Sequence, residues 1–258
     1  MTSYNQSNIK DFGFQELEIG KIYAKWIFSI FKPYLGEKIM EAGCGLGLMI
    51  TNYKDSSKLV LAVDISEDYL DIVKKRYKND PHVITKKINL EKLSSVAKKK
   101  IIQYNIDTII CINVLEHIQN DLEALKNMYD ILSPQGKLLL FVPALPEIYG
   151  TIDKGFSHFR RYTKEDIKTK ILSAGFKITS TQYFNFAGII WWYIMGRLLK
   201  KNNIPKMTGN LLNIFVPILT KVESVFSPPI GQSLIAIAEK RQIMKNPFFS
   251  ATIITKDK

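Results

Sequence analysis

The sequence predicts a doubly wound α/β fold built on a mostly parallel sheet. Two observations predict it. Strand-like and helix-like segments alternate from residue 37 to about 183, the pattern of a sheet with helices on both faces. In addition, the apolar strand Lys38–Ala42 runs into Gly43-Cys44-Gly45-Leu46-Gly47, and the next strand, Leu59–Val63, ends at Asp64. Glycines let the backbone turn sharply and meet a ligand with no Cβ in the way. An acid at the end of the second strand of a βαβ unit accepts hydrogen bonds from both hydroxyls of a ribose. A nucleoside-containing cofactor is expected.

Each element has a local reason. Short apolar runs mark strands at Lys38–Ala42, Leu59–Val63, Val83–Lys87, Thr108–Ile112, Lys137–Val142 and Lys177–Tyr183. Between them, helices are expected near Leu48–Tyr53, Glu67–Asn79, Glu91–Gln103, Asp121–Leu132 and Lys164–Ala174. Ser66 stands as an N-cap before the acids Glu67 and Asp68, which suit the positive end of a helix. Thr163 plays the same part before Glu165 and Asp166, and Gly175 closes that helix. Ser133-Pro134-Gln135-Gly136 is a turn. Residues 1–36 are expected to form an N-terminal helical cap, ahead of a ligand-binding core over 37–184. Residues 185–229 break the rhythm, being apolar, aromatic and basic, and read as a helical insertion or lid. A last strand within 230–240 returns to the core, and the tail 241–258 has no assignable role.

Composition excludes several classes. With 258 residues, 46% hydrophobic and 23% charged, the chain can bury a core and is not of a disordered type. Two cysteines argue against a disulfide scaffold and for a reducing compartment. Residues 1–15 lack the layout of a signal peptide, and the apolar runs are too short to span a bilayer. A cytoplasmic location is expected, with the inner face of the membrane as the variant. The net charge of +12 suits an anionic partner, or simply lysine-rich helix faces such as Lys74-Lys75-Arg76 and Lys98-Lys99-Lys100. No aromatic-basic ladder appears in the first 150 residues, which disfavours nucleic acid.

The spacing of the glycines selects the cofactor. A dinucleotide fingerprint needs Gly or Ala where Leu48 stands, so an oxidoreductase using a dinucleotide is disfavoured. The pattern Glu41-x-Gly43-x-Gly45-x-Gly47 resembles the first motif of the class I S-adenosylmethionine-dependent methyltransferases. That cofactor has no pyrophosphate to bring to a helix N-terminus. The resemblance implies a Rossmann-like, seven-stranded sheet whose last strand is antiparallel, with the helical insertion between strands six and seven. It also implies S-adenosylmethionine lying against Glu41, Gly43, Cys44 and Gly45, with its ribose on Asp64 and its adenine near Ile65, Asn89 and Leu90.

The fourth strand delivers Asn113-Val114-Leu115-Glu116-His117-Ile118, similar to a segment of small-molecule and quinone-type methyltransferases. By that resemblance Asn113 lies near the methionine moiety. His117 is either a proton acceptor or a helix cap. After the fifth strand, Asp153 and His158-Phe159-Arg160-Arg161-Tyr162 resemble a stretch in a bacterial methyltransferase group. One arginine is expected to fork onto a carboxylate or phosphate of the acceptor and the other to brace the loop. Asp153, Tyr162 and Trp192 are expected to line the same pocket, and His158 is a second candidate base. No metal ligand set is expected.

The segment Ile189–Met195, followed by Arg197, Lys200 and Lys201, reads as a lid, a dimer contact or a membrane-interface helix in the region 186–201. The expected activity is methyl transfer to an O (or N) nucleophile of a small-molecule, glycan or lipid-linked acceptor, the acceptor being anionic on the arginine reading. Nucleic-acid amino methylation is disfavoured, because no Asn-Pro-Pro-Tyr or Asp-Pro-Pro-Tyr follows strand four. The alternative is a non-catalytic protein that keeps the cofactor fold as a binding or assembly module.

Overall fold

A computed structural model of the chain describes residues 14–201, 208–225 and 228–241; the expected tail therefore lies, beyond Arg241, outside the described residues. Helix α1 (Phe14–Phe31) precedes seven strands: β1 (Lys38–Ala42), β2 (Leu59–Asp64), β3 (Val83–Lys87), β4 (Thr108–Ile112), β5 (Lys137–Pro143), β6 (Phe176–Phe184) and β7 (Ser233–Lys240). The other helices are α2 (Glu67–Arg76), α3 (Ser95–Ile102), α4 (Asp121–Ile131), α5 (Thr151–Gly155), α6 (Lys164–Ser173), α7 (Phe186–Tyr193) and α8 (Thr208–Val225).

The strands form one sheet in the order β3-β2-β1-β4-β5-β7-β6. β7 pairs antiparallel with both β5 and β6, while the pairs among β1 to β5 are parallel. This is the expected Rossmann-like sheet, and the connection from β6 to β7 carries α7 and α8. The strand order reverses between β1 and β4, and ligands of such sheets sit at the carboxyl ends on that crevice.

Alternation along the strands builds two cores. Met40, Ala42, Leu61, Val63, Ile109, Cys111, Leu138 and Leu140 face one side, under α3, α4 and α6. Ile39, Val60, Ala62, Ile110, Leu139 and Phe141 face the other, against Trp26, Ile27 and Phe31 of α1 and Leu70 and Val73 of α2. A sheet buried on both faces reads as continuous apolar runs, which is why its strands stand out in the sequence.

Two expected helices differ. In place of a helix over Leu48–Tyr53, the chain makes two 3-10 turns, Ile50–Asn52 and Lys54–Ser56. The side chains of Thr51, Asn52, Ser56 and Ser57 all donate back to nearby carbonyls there. Such local bonds compete with the helical ladder. The helix expected from Glu91 begins only at Ser95, capped by the Ser94 side chain. The backbone N–H groups of Glu91 and Lys92 are instead held by Asn89 Oδ1 at 2.9 and 3.1 Å, a turn that ends β3's extension.

Candidate functional site

The glycine loop is pinned to β2. Gly43 and Cys44 donate their N–H groups to the Val63 carbonyl at 2.8 and 2.9 Å. Gly43, Gly45 and Gly47 have φ of +74°, +47° and +68°, a region where other residues are strained. A Cβ on Gly43 would lie 2.4 Å from Val114 Cγ2, so the loop after β4 touches the glycine loop directly. A Cβ on Gly45 would meet nothing within 4 Å, leaving an open side to the cradle.

Asp64 sits at the centre of this turn. Its Oδ2 accepts from Gly45 N and its Oδ1 from Ser66 N, both at 2.9 Å. A carboxylate has about four lone-pair sites, so each oxygen retains one for a ribose hydroxyl. Beside it Ile65 is 54% exposed, suited to an adenine face. The open cradle, the left-handed glycines and the half-satisfied acid fit S-adenosylmethionine.

Three cofactor residues depart from expectation. Asn89 spends its side-chain oxygen on the two backbone donors of its own turn and does not present it to an adenine amine. Leu90 is buried in the core, and its carbonyl accepts from Asn127. Glu41 lies under the loop, not on its open side: it is buried and accepts a hydrogen bond from the Tyr53 hydroxyl at 2.5 Å. Burial pushes its carboxyl up to about 8 even against that bond. It supports the loop from beneath. Asn113, in contrast, is exposed at the end of β4 with φ +51°, and its N–H is fixed by the Phe141 carbonyl.

The second half of the crevice is assembled from two loops. Phe159 N donates to the Glu116 carbonyl at 2.8 Å, which brings the loop after α5 against the loop after β4. The rings of His117 and His158 meet edge to face, 4.8 Å between centroids. His158 Nδ1 lies 3.0 Å from Asp153 Oδ1. A carboxylate only accepts, so Nδ1 carries a proton, and in the neutral ring Nε2 is the acceptor. Burial and the neighbouring His158 bring the His117 imidazole down to about 4, so it is neutral near pH 7.

The residues expected to touch an acceptor are spent on holding this pair. Asp153 is fully buried and takes four donors: His158 and Arg161 Nε (2.8 Å) on Oδ1, Gly150 N and Trp192 Nε1 (both 2.9 Å) on Oδ2. Arg161 is itself buried, stacks on the Trp192 ring at 4.6 Å and donates to the Ala144 carbonyl at 2.7 Å. Arg160 pairs with Asp121 at 2.8 Å and donates to the Gln119 carbonyl. Buried Tyr162 donates to Asp121 at 2.9 Å. Both arginines brace the loop, so the expected anion-binding fork is absent among the described residues. Asp153, Arg160, Arg161, Tyr162 and Trp192 act through other residues. For Arg161 the reason is burial: once the loop packs against Trp192 of α7, its cation must find a carboxylate inside.

One residue went unnoticed in the sequence. Glu116 is wholly buried, and neither of its carboxylate oxygens has a hydrogen-bond partner among the described residues. Burial pushes its carboxyl up to about 8, against the pull of Arg161. Glu116, His117 and His158 each offer one ligand atom, all within 4.8 Å of one another. The adjacency Glu-His after a central strand was the available signal.

Known proteins resemble this chain in part of its sequence and in its fold. Residues 40–138 match a family model described as a methyltransferase domain. The chain is 28% identical over 107 residues to the mitochondrial ubiquinone biosynthesis O-methyltransferase of Schizosaccharomyces pombe, covering 42% of this chain and 38% of that protein. It is 26% identical over 125 residues to the Coxiella burnetii ubiquinone biosynthesis O-methyltransferase, covering 48% of this chain and 47% of that protein. The matched region thus spans under half the length of these relatives. Among solved structures, a SAM-dependent methyltransferase from Archaeoglobus fulgidus superposes with a TM-score of 0.56 at 18% identity, over 93% of this chain and 100% of that one.

Proposed function

We propose that the chain, as a class I S-adenosylmethionine-dependent methyltransferase, methylates a hydroxyl oxygen of a small organic acceptor. The observation that carries the reading is the Asp153–His158 pair, which leaves one imidazole nitrogen, beside His117, without a hydrogen bond among the described residues. S-adenosylmethionine supplies a methyl group already activated by its sulfonium. An acceptor oxygen forms the new O–C bond, and the electrons of the broken C–S bond remain on sulfur as S-adenosylhomocysteine. The hydroxyl proton passes to His158 Nε2. The glycine loop and Asp64 hold the donor end, and alignment of the two reactants alone is worth roughly 7–11 kcal/mol. A base adds about 10²–10⁴-fold for a weakly acidic hydroxyl and less for a phenol. The O-methyltransferase names of the curated relatives support an oxygen as the accepting atom.

A simple catechol serves as the probe, with S-adenosylhomocysteine release as the readout. His158→Gln is expected to lower kcat by about 10²-fold with cofactor affinity unchanged. An unaltered kcat would remove His158 from the chemistry.

We infer further that the acceptor is reached at a lipid surface. The inner face of α7 is closed: Trp192 packs with Ile148 and Ile152, and Ile189, Trp191 and Met195 flank them. Phe186, Ile190 and Tyr193 of α7 are exposed, and so are Ile194 and Leu198 of the π-helical turn Ile194–Leu198 that follows it, with Ile190 60% and Leu198 62% exposed. Phe186, Ile190 and Tyr193 stand at helical spacing on one side of α7. Exposed Arg197, Lys200 and Lys201 follow, and the stretch 186–201 contains no acid. An apolar stripe edged by cations suits an interfacial helix. No helix among the described residues is long and apolar enough to cross a membrane. The protein is expected to sediment with vesicles containing anionic lipid at low salt, and Ile190→Glu to abolish this. Equal sedimentation of the wild type and the variant would exclude the stripe.

A further inference from the structure

We propose that Glu116, His117 and His158 form a binding site for one divalent transition cation at the acceptor end of the crevice. Three features of the structure carry it. The donor atoms are of mixed type, two imidazole nitrogens and one carboxylate oxygen, the set that suits Zn²⁺, Fe²⁺, Co²⁺ or Mn²⁺ and not a hard oxygen-only ion. The carboxylate is wholly buried with both oxygens unpartnered among the described residues, although it lies near the Arg161 guanidinium, whose NH2 group is also unpartnered. A buried polar group without a partner costs about 1–3 kcal/mol or more, so such groups are rare unless something satisfies them.

The third feature is orientation. His158 gives its Nδ1 proton to Asp153, which is held in turn by Arg161, Trp192 and Gly150. A carboxylate or carbonyl behind a ligating imidazole fixes its tautomer and aims the other nitrogen at the metal. The buried network around Asp153 thus does for the cluster what outer ligand shells do elsewhere.

Geometry requires only a small closure. Ligand atoms around a tetrahedral ion with bonds of about 2.0–2.1 Å lie about 3.4 Å apart, and the three donor atoms here are within 4.8 Å. Closing the cluster around an ion therefore requires shifts of about 1 Å. Three protein ligands leave a coordination position open, the arrangement of a site that also binds a reactant oxygen. The inference goes beyond the methylation reading and does not depend on it. Where the ion is bound, His158 would serve as one of its ligands.

The test is direct binding to the full chain, stripped of metal with a chelator. Co²⁺ is titrated while its visible absorption is followed, and Zn²⁺ by calorimetry. One ion per chain is expected, with absorption of tetrahedral or five-coordinate cobalt. Glu116→Gln keeps the shape of the side chain and should weaken binding at least tenfold, as should His117→Asn. S-adenosylmethionine affinity, measured in parallel, should not change in either variant. Absence of binding by the wild type overturns the proposal, and so does equal binding by both variants, which would place the ion elsewhere. If methylation of catechol persists in chelator while no ion binds, the metal site falls and the His158 base stands.

Discussion

Replacing Asp153 by alanine is expected to lower the stability of the fold by about 3–5 kcal/mol, because it leaves a buried guanidinium without its counter-charge. Asp153 and Arg161 have side chains with no exposed surface, joined at 2.8 Å. Burial alone pushes the Asp153 carboxyl up, but His158, Arg161, Trp192 and Gly150 together hold it below its usual range. A carboxyl lowered in the folded state contributes stability that is fully present above its unfolded value of 3.8 and is lost as the pH falls through the lower folded value. The penalty of the variant should therefore be largest near neutral pH and shrink in acid. Urea unfolding at pH 7 and pH 3.5 measures both parts. A loss under about 1 kcal/mol at pH 7 would mean that water reaches the guanidinium, as at an exposed pair. The same substitution frees His158 and Trp192, so the joint between α7 and the loop after α5 should loosen even where the chain still folds.

Asp64→Ala is expected to weaken S-adenosylmethionine binding at least tenfold. Each hydrogen bond from a ribose hydroxyl to a carboxylate is worth roughly 1.5–3 kcal/mol net, and a factor of ten corresponds to about 1.4 kcal/mol. The structure adds a second contribution that the sequence did not reveal. Asp64 also receives Gly45 N and Ser66 N, so the variant releases the middle of the glycine loop as well as the ribose. The loss should therefore exceed that of Asp64→Asn, which keeps an oxygen for one of those donors. Calorimetric titration with S-adenosylmethionine and S-adenosylhomocysteine checks this, and equal affinities for the wild type and Asp64→Ala would show that the cofactor lies elsewhere.

The legible parts of this protein were those set by neighbours in the chain. Strand β1 runs from Lys38 to Ala42 and β4 from Thr108 to Ile112, as the apolar runs indicated. A sheet covered on both faces writes itself as uninterrupted Val, Ile and Leu, and no tertiary choice alters that. Ser66 and Thr163 cap α2 and α6 as their positions suggested. Where local signals competed, the reading failed. The helix expected over Leu48–Tyr53 gave way to 3-10 turns because hydroxyl and amide side chains there bond their own backbone.

The site divided along the same line. The glycine loop and Asp64 lie within one βαβ unit, where spacing alone brings them together. The histidine end does not. Asp153 reaches Trp192 across 39 residues, and Asp121 reaches Tyr162 across 41 and Lys170 across 49. Arg160 and Arg161 looked like acceptor ligands because two arginines on a loop are usually solvated; packing against Trp192 of α7 turned Arg161 inward, while Arg160, partly exposed, is held by Asp121 and the Gln119 carbonyl.

By itself, then, the sequence determined the sheet and the cofactor class, since these follow from periodicity, glycine geometry and short spacings. Only the tertiary structure decided which charges are buried, which carboxylate holds which cation, and that Glu116 ends unpartnered beside His117 and His158. The physical reason is that a charge in water is indifferent to its distant neighbours, whereas a charge removed from water is governed by whichever groups the fold places within a few ångströms.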